Sequence, residues 1–285
     1  MSAILAWQTV HQLGLCPSKG FPWKQGLRAF KIPCMKLSRW ILAVIGCATM
    51  TTHLGGAEVV EHDGAKYHLF RIDSAEWPKL QLAWLGADGK PLGDFNGLRR
   101  ELTAKGQKIA FATNAGIFER GPKPCGLTIC EGKVLVPLNL RPGEGNFYLM
   151  PNGVFYLDDQ HGPGVMEAGE FARSGLKPRL ATQSGPLMLR NGVFHPAFNL
   201  NSPNKRLRNA VGIRKKDKQI IFAMSDRDDA KLGTVTFHQF SRFFLHLGCE
   251  DVLYLDGDIS NMLVNPPADA KLTPNTFAGM FYVAE

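Results

Sequence analysis

Regular spacing of apolar residues predicts two amphipathic helices in this chain. The first begins after the capping residue Asp94 and ends at Gly106. Its apolar face consists of Phe95, Leu98 and Leu102. The second has Thr234 or Thr236 as its cap and ends at Gly248. Its apolar residues recur at intervals of three, four and three positions, namely Phe237, Phe240, Phe244 and Leu247.

Short apolar or alternating runs predict strands along the rest of the chain. They cover residues 67–72, 80–85, 109–113, 147–149, 154–157, 210–213, 219–224, 252–255 and 281–283. The first two strands could pair as a hairpin, and turn residues predict further hairpins around Glu131-Gly132, Pro151-Asn152-Gly153 and Arg190-Asn191-Gly192. Many strands and few helices in mixed order indicate an α+β fold, with a strand-rich mixed sheet core and a few flanking helices.

The basic charge of the chain is concentrated at its beginning. The formal net charge is +8, yet residues 1–57 contain six Lys or Arg and no Asp or Glu. The rest of the chain therefore carries 27 basic and 25 acidic residues, which is close to neutral. A balanced charge gives no electrostatic footprint for a polyanion, so we expect no nucleic-acid partner.

The same N-terminal segment has the pattern of a secretory signal peptide. A basic stretch beginning at Met35 precedes a short apolar run, and Gly55-Gly56-Ala57 then supply small residues for cleavage. This pattern predicts export to the periplasm or the extracellular space, with Met1 or Met35 as the start. A lipoprotein anchored to the membrane through Cys47 is one alternative, and an amphipathic or disordered tail is another.

Three cysteines lie outside this leader, namely Cys125, Cys130 and Cys249. The Cys-x4-Cys spacing of the first two would allow a disulfide in an oxidising compartment, and Cys249 is expected to be buried near the end of a helix. No second pair with zinc-ligand spacing follows, so we predict no metal site and no cofactor. Asp256 and Asp258 form an Asp-x-Asp pair that can hold a hard cation, but two carboxylates alone do not establish such a site.

Five polar clusters adjoin predicted strands, where rigid scaffolds commonly carry functional groups. They cover residues 113–119, 181–186, 205–212, 224–229 and 254–261. Arg206 and Arg208 alternate and would share a face, and arginine forks suit phosphate. An Asp that directly follows a buried strand, as Asp256 does, costs free energy unless it has partners. The clusters at 113–119, 205–212 and 224–229 are also explained by an ordinary turn or a solvated loop.

Together these clusters resemble the phosphodiester glycosidase family from about Lys108 to Glu285. The matching elements follow one another in order: Asn114-Ala115-Gly116-Ile117-Phe118, Gly126-Leu127, Ser184-Gly185-Pro186, Arg208-Asn209-Ala210-Val211-Gly212 and Leu255-Asp256-Gly257-Asp258-Ile259-Ser260. Residues 145–147 and 151–155 also match a bacterial exported branch of the family. The chain departs from the family pattern at Asp258, where many members have a second glycine.

The resemblance implies a hydrolase that cleaves a sugar phosphodiester bond in a carbohydrate phosphodiester or glycan. Catalytic roles are expected for Asp256 and Asp226, as base, nucleophile or stabiliser of an oxocarbenium-like transition state, and for Arg208, which would stabilise the phosphate. Substrate-binding roles are expected for Asn114, Gly116, Phe118, Gln183, Ser184, Gly185, Asp258 and Ser260. Glu119 and His195 are further acid/base candidates.

The leader and the motifs together divide the chain. Residues 1–57 are predicted to be an extension with a signal peptide, and residues 58–285 a single domain. Within that domain, strands and a helix over 58–105 precede a motif-bearing core over 106–285. The alternative function is a non-catalytic envelope protein that binds glycans or cell-wall polymers. Catalysis is favoured if the four candidates converge in one pocket, namely Asn114, Arg208, Asp226 and Asp256.

Overall fold

The computed structural model describes residues 57–272 and 274–285 as short strands joined by loops, together with three α-helices. The predicted signal peptide, the start at Met1 or Met35 and the alternative of a lipidated Cys47 lie outside the described residues. Within the described ranges, no helix is long and apolar enough to cross a membrane.

The strands and helices take their labels from their order in the chain. The strands are β1 (Glu58–His62), β2 (Ala65–Ile72), β3 (Gln81–Ala83), β4 (Ile109–Asn114), β5 (Phe118–Glu119), β6 (Lys123–Pro124), β7 (Thr128–Cys130), β8 (Lys133–Val136), β9 (Gly153–Asp158), β10 (Gly162–Glu167), β11 (Leu180–Ser184), β12 (Leu187–Arg190), β13 (Val193–Phe194), β14 (Asn209–Arg214), β15 (Ile220–Ser225), β16 (Cys249–Tyr254), β17 (Met262–Val264) and β18 (Met280–Ala284). The helices are α1 (Phe95–Ala104), α2 (Ala168–Ser174) and α3 (Phe237–His246).

The strands form three main sheets in which neighbours pair antiparallel. The largest sheet has the order β1-β2-β15-β14-β16-β12-β13. The second has the order β10-β9-β11-β7-β8, and the third has the order β17-β4-β18-β3. Strands β5 and β6 form a separate two-stranded ribbon. The α+β prediction is therefore confirmed.

The main hydrophobic core lies between the inner faces of the three sheets. Phe70 of the largest sheet stacks on Phe111 of the third sheet, with ring centroids 4.0 Å apart. Phe155 of the second sheet meets Phe281 of the third edge to face at 5.4 Å. Each helix then covers the outer face of one sheet, since α3, α1 and α2 pack in three further apolar clusters. Strands buried on both faces explain why β14 and β15 are apolar along nearly their whole length.

The structure confirms the two predicted helices and their caps. Asp94 precedes α1 and its side chain accepts a hydrogen bond from the Gly97 backbone N–H at 2.7 Å. Thr236, rather than Thr234, caps α3 and accepts from the Gln239 N–H at 3.0 Å. Gly106 and Gly248 follow the two helices at φ +70° and +82°, a conformation that favours glycine. The apolar periodicity missed the shorter helix α2.

Two of the predicted hairpins are confirmed. Strands β7 and β8 turn at Glu131-Gly132, and β12 and β13 turn at Asn191-Gly192, with positive φ at all four turn residues.

The other two hairpin predictions are wrong. Strand β2 pairs with β1 and β15, whereas β3 pairs with β18, because a 3-10 helix over Ser74–Lys79 takes the chain to another sheet. Residues 146–148 form a 3-10 turn instead of a strand, which the buried Asn152 side chain holds by donating to the Phe147 carbonyl at 3.0 Å. Strand β9 accordingly pairs with β10 and β11.

Of the three cysteines outside the leader, one is buried and two are partly exposed. Cys249 is fully buried, as expected, although it begins β16 instead of ending the helix. Cys125 and Cys130 are both free and partly exposed. Strand β7 is extended at about 3.3 Å per residue, so it carries Cys130 away from Cys125 and the disulfide is not formed.

Candidate functional site

Several motif residues meet at one edge of the molecule because neighbouring strands end or begin there. Asn114 ends β4, Ser184 ends β11, and Asn209 begins the antiparallel strand β14. Strand β16 ends at Tyr254 and leads into residues 256–260, hereafter the Asp256 loop. The site therefore draws on all three sheets.

Two buried asparagines hold the Asp256 loop against the sheets. The Asn114 amide donates to the Asp256 carbonyl at 3.1 Å and to Ser260 Oγ at 3.3 Å. Its oxygen accepts from the Asn209 amide at 3.1 Å and from the Asn261 N–H at 3.2 Å. Ser260 is fully buried, and its hydroxyl donates in turn to the Asp256 carbonyl. Buried amides with several partners are rigid, so the loop backbone is fixed in place.

Asp256 is the first residue of this loop and is half-buried. Its Oδ1 accepts from the Gly257 N–H at 2.8 Å, and its Oδ2 has no hydrogen-bond donor among the described residues. Burial raises the pKa of Asp256; the Gly257 N–H opposes this, and the negative charge of Asp258 adds to it. One oxygen is thus held by the backbone, while the other is available to a substrate.

Arg208 is a buried cation without an acidic partner. Its side chain lies 3.7 Å above the Phe237 ring, and the residue is only 2% exposed. The guanidinium donates to the carbonyls of Val235 and Asn204 at 3.3 and 3.2 Å. Among the described residues no Asp or Glu oxygen lies within 4.0 Å of it. Part of its five-donor fork remains for an anion.

Tyr254 connects Arg208 to the Asp256 loop. Its hydroxyl accepts from Arg208 Nη1 at 3.5 Å. The hydroxyl also packs closely against Gly257, and a Cβ on Gly257 would lie 2.0 Å from the Tyr254 hydroxyl oxygen. Burial raises the pKa of Tyr254 to about 12; Arg208 opposes this, and the charges of Asp256 and Asp258 add to it. The phenol therefore lies within electrostatic reach of both the cation and the carboxyls.

The motif glycines allow backbone segments to meet. A Cβ on Gly116 would lie 2.5 Å from the Gln183 carbonyl, and one on Gly185 would lie 2.6 Å from the Phe147 carbonyl. Beside them, Ser184 Oγ accepts from the Ile117 N–H at 3.3 Å. No larger residue fits these positions without backbone movement, so the segments around β4 and β11 are mutually positioned by their glycines.

Asp226 lies in a different environment. Its Oδ2 contacts Lys66 Nζ at 2.7 Å and His68 Nε2 at 3.4 Å, while its Oδ1 accepts from the N–H groups of Asp228 and Asp229. Burial alone would raise the pKa of this carboxyl, but the Lys66 hydrogen bond, the backbone donor and the nearby His68 and Lys66 side chains lower it to about 2. Both oxygens are therefore occupied within the protein.

Replacing Asp226 with Asn is expected to lower the free energy of unfolding by about 2 kcal/mol at pH 7. The depressed pKa stabilises the fold above the unfolded-state value near 4, and this contribution is lost as the pH falls toward about 2. Urea unfolding between pH 2 and 7 should show a flatter pH dependence in the variant. The exposed neighbour provides the control, because Asp228→Asn should follow the wild-type curve. Equal curves for wild type and Asp226→Asn would contradict this assignment.

The remaining predicted residues are more scattered. Phe118 lies half-exposed in the ribbon, and Glu119 beside it is exposed. The buried Gln183 amide is bonded to Leu127 and Asn139 backbone groups. Asp258 is exposed in the Asp256 loop. His195 is buried against Phe198, and burial lowers its pKa.

Sequence reasoning missed some of the residues that make up this edge. Asn209 was part of a quoted motif, and a polar residue at the start of an apolar strand was a usable signal. Tyr254 belonged to the last polar cluster but was given no role of its own. Lys66 and His68 alternate on β2 and had no signal, because their partner Asp226 is distant in sequence. Arg206 and Arg208 do not share an environment, since Arg206 is exposed.

No group of three or more His, Cys, Asp or Glu among the described residues is arranged to hold a metal ion.

Comparisons with known proteins place the chain among the glycosidases. Residues 107–284 match the family model described as phosphodiester glycosidase. The chain belongs to the phosphodiester glycosidase family, and it is an enzyme that acts on phosphodiester-linked sugars. The family resemblance is thus confirmed, and the enzyme interpretation is favoured over the non-catalytic alternative.

The chain is similar to a bacterial protein in sequence and to a zebrafish enzyme domain in fold. The "Uncharacterized protein YigE" of Escherichia coli (strain K12) is 34% identical over 185 residues, which cover 65% of this chain and 69% of that protein. A zebrafish N-acetylglucosamine-1-phosphodiester alpha-N-acetylglucosaminidase catalytic domain, auto-inhibited by its pro-peptide, has a similar fold. The TM-score is 0.53 at 15% identity, over 80% of this chain and 81% of that one. At this identity the similarity shows the fold alone.

Proposed function

We propose that this enzyme hydrolyses glycosyl-1-phosphodiesters at the Asp256 loop. Arg208 binds the phosphate, and Asp256 acts at the anomeric carbon. The observation that carries the proposal is the buried guanidinium of Arg208, which has no carboxylate within 4.0 Å among the described residues. A buried charge costs several kcal/mol unless it is compensated. A phosphodiester oxygen would supply the missing negative charge.

The phosphate needs charge stabilisation more than it needs a proton. When the C1–O bond breaks, the phosphate leaves with the bonding electron pair as a monoester, and its negative charge increases. A fixed cation in a dry site stabilises that change without reorganising. The Phe237 ring below the guanidinium and the two carbonyl acceptors keep Arg208 oriented.

Asp256 is assigned to the water that replaces the phosphate. Its raised pKa makes it a stronger base than an ordinary carboxylate, and its Oδ2 is free of donors among the described residues. The attacking water gives its oxygen and one hydrogen to C1 and its other proton to Asp256, so the products are a free sugar and a phosphate monoester. The ionised carboxyl also stabilises the oxocarbenium-like transition state.

The other predicted residues support this pair. Asn114 and Ser260 hold the Asp256 loop, and Ser184 holds the segment that follows β4. Asp226 already has four donors around it, which favours a structural role over proton transfer.

Export is a separate part of the proposal, supported by the basic and apolar pattern of residues 1–57. N-terminal sequencing of the protein from a periplasmic or extracellular fraction should find a start close to Ala57. A start at a lipid-modified Cys47 would instead indicate an anchored lipoprotein, and an intact N-terminus would contradict export.

The purified chain should release reducing sugar and a phosphate monoester in equal amounts from a panel of glycosyl-1-phosphodiesters. The matched glycosyl-1-phosphate monoesters and simple alkyl glycosides should be poor substrates, because they lack the diester charge pattern or the good leaving group. Product release should be followed by mass spectrometry in ¹⁸O-labelled water. Label in the phosphate instead of the sugar would overturn C1–O cleavage, and no release by the folded protein would overturn the proposed reaction.

A further inference from the structure

The two-stranded ribbon and the edge of the second sheet enclose a cleft that the proposed reaction has not yet used. It is a cleft of about 390 Å³ between β5, β6, β8 and the segment after β8. We call it the Cys125 cleft; it is lined among others by Trp84, Glu119, Cys125, Leu138, Leu140 and Arg141. Its volume falls in the range of about 300–1,000 Å³ that small-molecule sites occupy. None of the hydrogen bonds that hold Asp256 uses a side chain of this lining.

Two backbone hydrogen bonds connect the cleft to the Asp256 loop through residues 115–117. The Asp256 N–H bonds to the Ala115 carbonyl at 3.4 Å, and the Cys125 N–H bonds to the Ile117 carbonyl at 3.1 Å. Residues 115–117 span at most about 7 Å, since an extended chain covers about 3.3–3.6 Å per residue. The pKa of Cys125 is consistent with this, because burial raises it to about 11 and the charges of Glu119 and Asp256 add to the effect.

The cleft and Arg208 approach Asp256 from different parts of the fold. Arg208 packs against Phe237 of α3, on the outer face of the largest sheet. The cleft is formed by the two-stranded ribbon and the edge of the second sheet. A glycosyl phosphodiester has its phosphate on one side of C1 and its sugar ring on the other, so the two features suit the two halves of one substrate.

The lining matches the amphipathic surface of a sugar. Trp84, Leu138 and Leu140 provide aromatic and apolar surface for the C–H faces of a ring. Glu119 and Arg141 provide an acceptor and a donor for ring hydroxyls. The Trp84 indole N–H donates to the Pro122 carbonyl at 2.8 Å, so this aromatic ring is held in place before a ligand binds.

We propose that the Cys125 cleft is the sugar-binding subsite of the enzyme, in which a monosaccharide ring rests against Trp84 and Leu140. This inference rests on the proposed hydrolysis of glycosyl phosphodiesters, but it makes its own claim about where the sugar binds. The lining is not purely cationic, because the acidic Glu119 lies among the basic residues Lys123 and Arg141.

Alkylation of Cys125 tests binding independently of hydrolysis. The full chain is treated with iodoacetamide, and the labelling rate of each cysteine is measured by peptide mass spectrometry. A sugar that occupies the cleft at about ten times its Kd should slow Cys125 labelling about 10-fold. Cys130, which is also half-buried but lines a different cleft, should label at an unchanged rate. The probes are a panel of neutral hexoses and their N-acetylamino forms, with inorganic phosphate as the comparison.

Each outcome decides the proposal. Protection of Cys125 by a sugar but not by phosphate supports it, whether or not the enzyme hydrolyses any diester in the panel. Protection by phosphate alone would make the cleft an anion site and overturn it. No protection of Cys125 by any sugar or diester would overturn the subsite. If a diester is hydrolysed all the same, the proposed function remains intact.

A pair of matched substitutions provides the kinetic test. Leu140 and Val134 are 53% and 56% exposed, but only Leu140 lines the cleft. Leu140→Trp should fill the cleft and raise KM about 10-fold with a smaller change in kcat, as expected when binding common to ground and transition state is removed. Val134→Trp should leave both constants unchanged. Equal KM values for the two variants, both folded by circular dichroism, would contradict sugar binding at Leu140.

Discussion

Asp256→Asn is expected to reduce kcat by about 10³-fold and to leave the protein at least as stable as the wild type at pH 7. Asparagine keeps the size of the side chain and can still accept from the Gly257 N–H, but it cannot take a proton from water. The activity loss would therefore come from chemistry and not from a displaced loop. Initial rates and urea unfolding on the same preparations would measure both quantities.

The stability half of this prediction follows from the direction of the pKa shift. Burial raises the pKa of Asp256 above its unfolded value near 4, so the folded state binds more protons than the unfolded state just above that pH. The wild type therefore loses stability as the pH rises through this window, and Asp256→Asn does not. The difference between the two proteins should grow from pH 4 to pH 7 and favour the variant.

Asp258→Asn is the matched control in the same loop. Asp258 is exposed, and its charge raises the pKa of Asp256. Its neutralisation should retain most of kcat at the optimum and move the acidic limb of the pH–rate profile to lower pH, because Asp256 then ionises more readily. If Asp256→Asn had the wild-type kcat, Asp256 would not take part in the reaction. If both variants lost all activity, the loss would come from the loop as a whole and could not be assigned to the Asp256 carboxyl.

Arg208→Lys is expected to lower kcat/KM by about 10²- to 10³-fold. Lysine keeps the positive charge, but it lacks the planar fork that stacks on Phe237 and reaches several acceptors at once. Steady-state kinetics should be combined with inhibition by the product monoester, which should weaken about 10-fold or more if Arg208 binds the phosphate. The second readout separates phosphate binding from a general loss of packing.

Arg206→Lys provides the control for the same chemical change two residues earlier. Arg206 is exposed, and its guanidinium donates only to the neighbouring Lys205 carbonyl among the described residues. Its replacement should change neither kcat/KM nor product inhibition. If the two lysine variants respond alike to the monoester, Arg208 does not bind the phosphate.

Local features of this chain were predictable because their causes lie within a few residues. The caps Asp94 and Thr236, the apolar faces of α1 and α3, and the Gly-containing turns at Gly132 and Gly192 all depend on neighbours in sequence. The ordered motifs also identified the family, which the match over residues 107–284 confirms.

Pairings between distant segments were not predictable in this way. The two strands β2 and β3 look like a hairpin because they are adjacent in sequence, yet they pair with partners in different sheets. Asp226 and Asp256 look alike as acidic residues just past apolar strands. Only the fold brings Lys66 and His68 to Asp226 and leaves Asp256 half-buried with one oxygen free of donors among the described residues.

The sequence by itself thus determined the helices, most strands, the α+β class and the family of this protein, since periodicity, caps and motif order are local properties. Tertiary structure alone decided which charges are compensated. Arg208 and Arg206 are two residues apart, but one is buried over Phe237 and the other is exposed. The energetic effect of a charge depends on burial and on partners far along the chain, and these are set only when the sheets pack together.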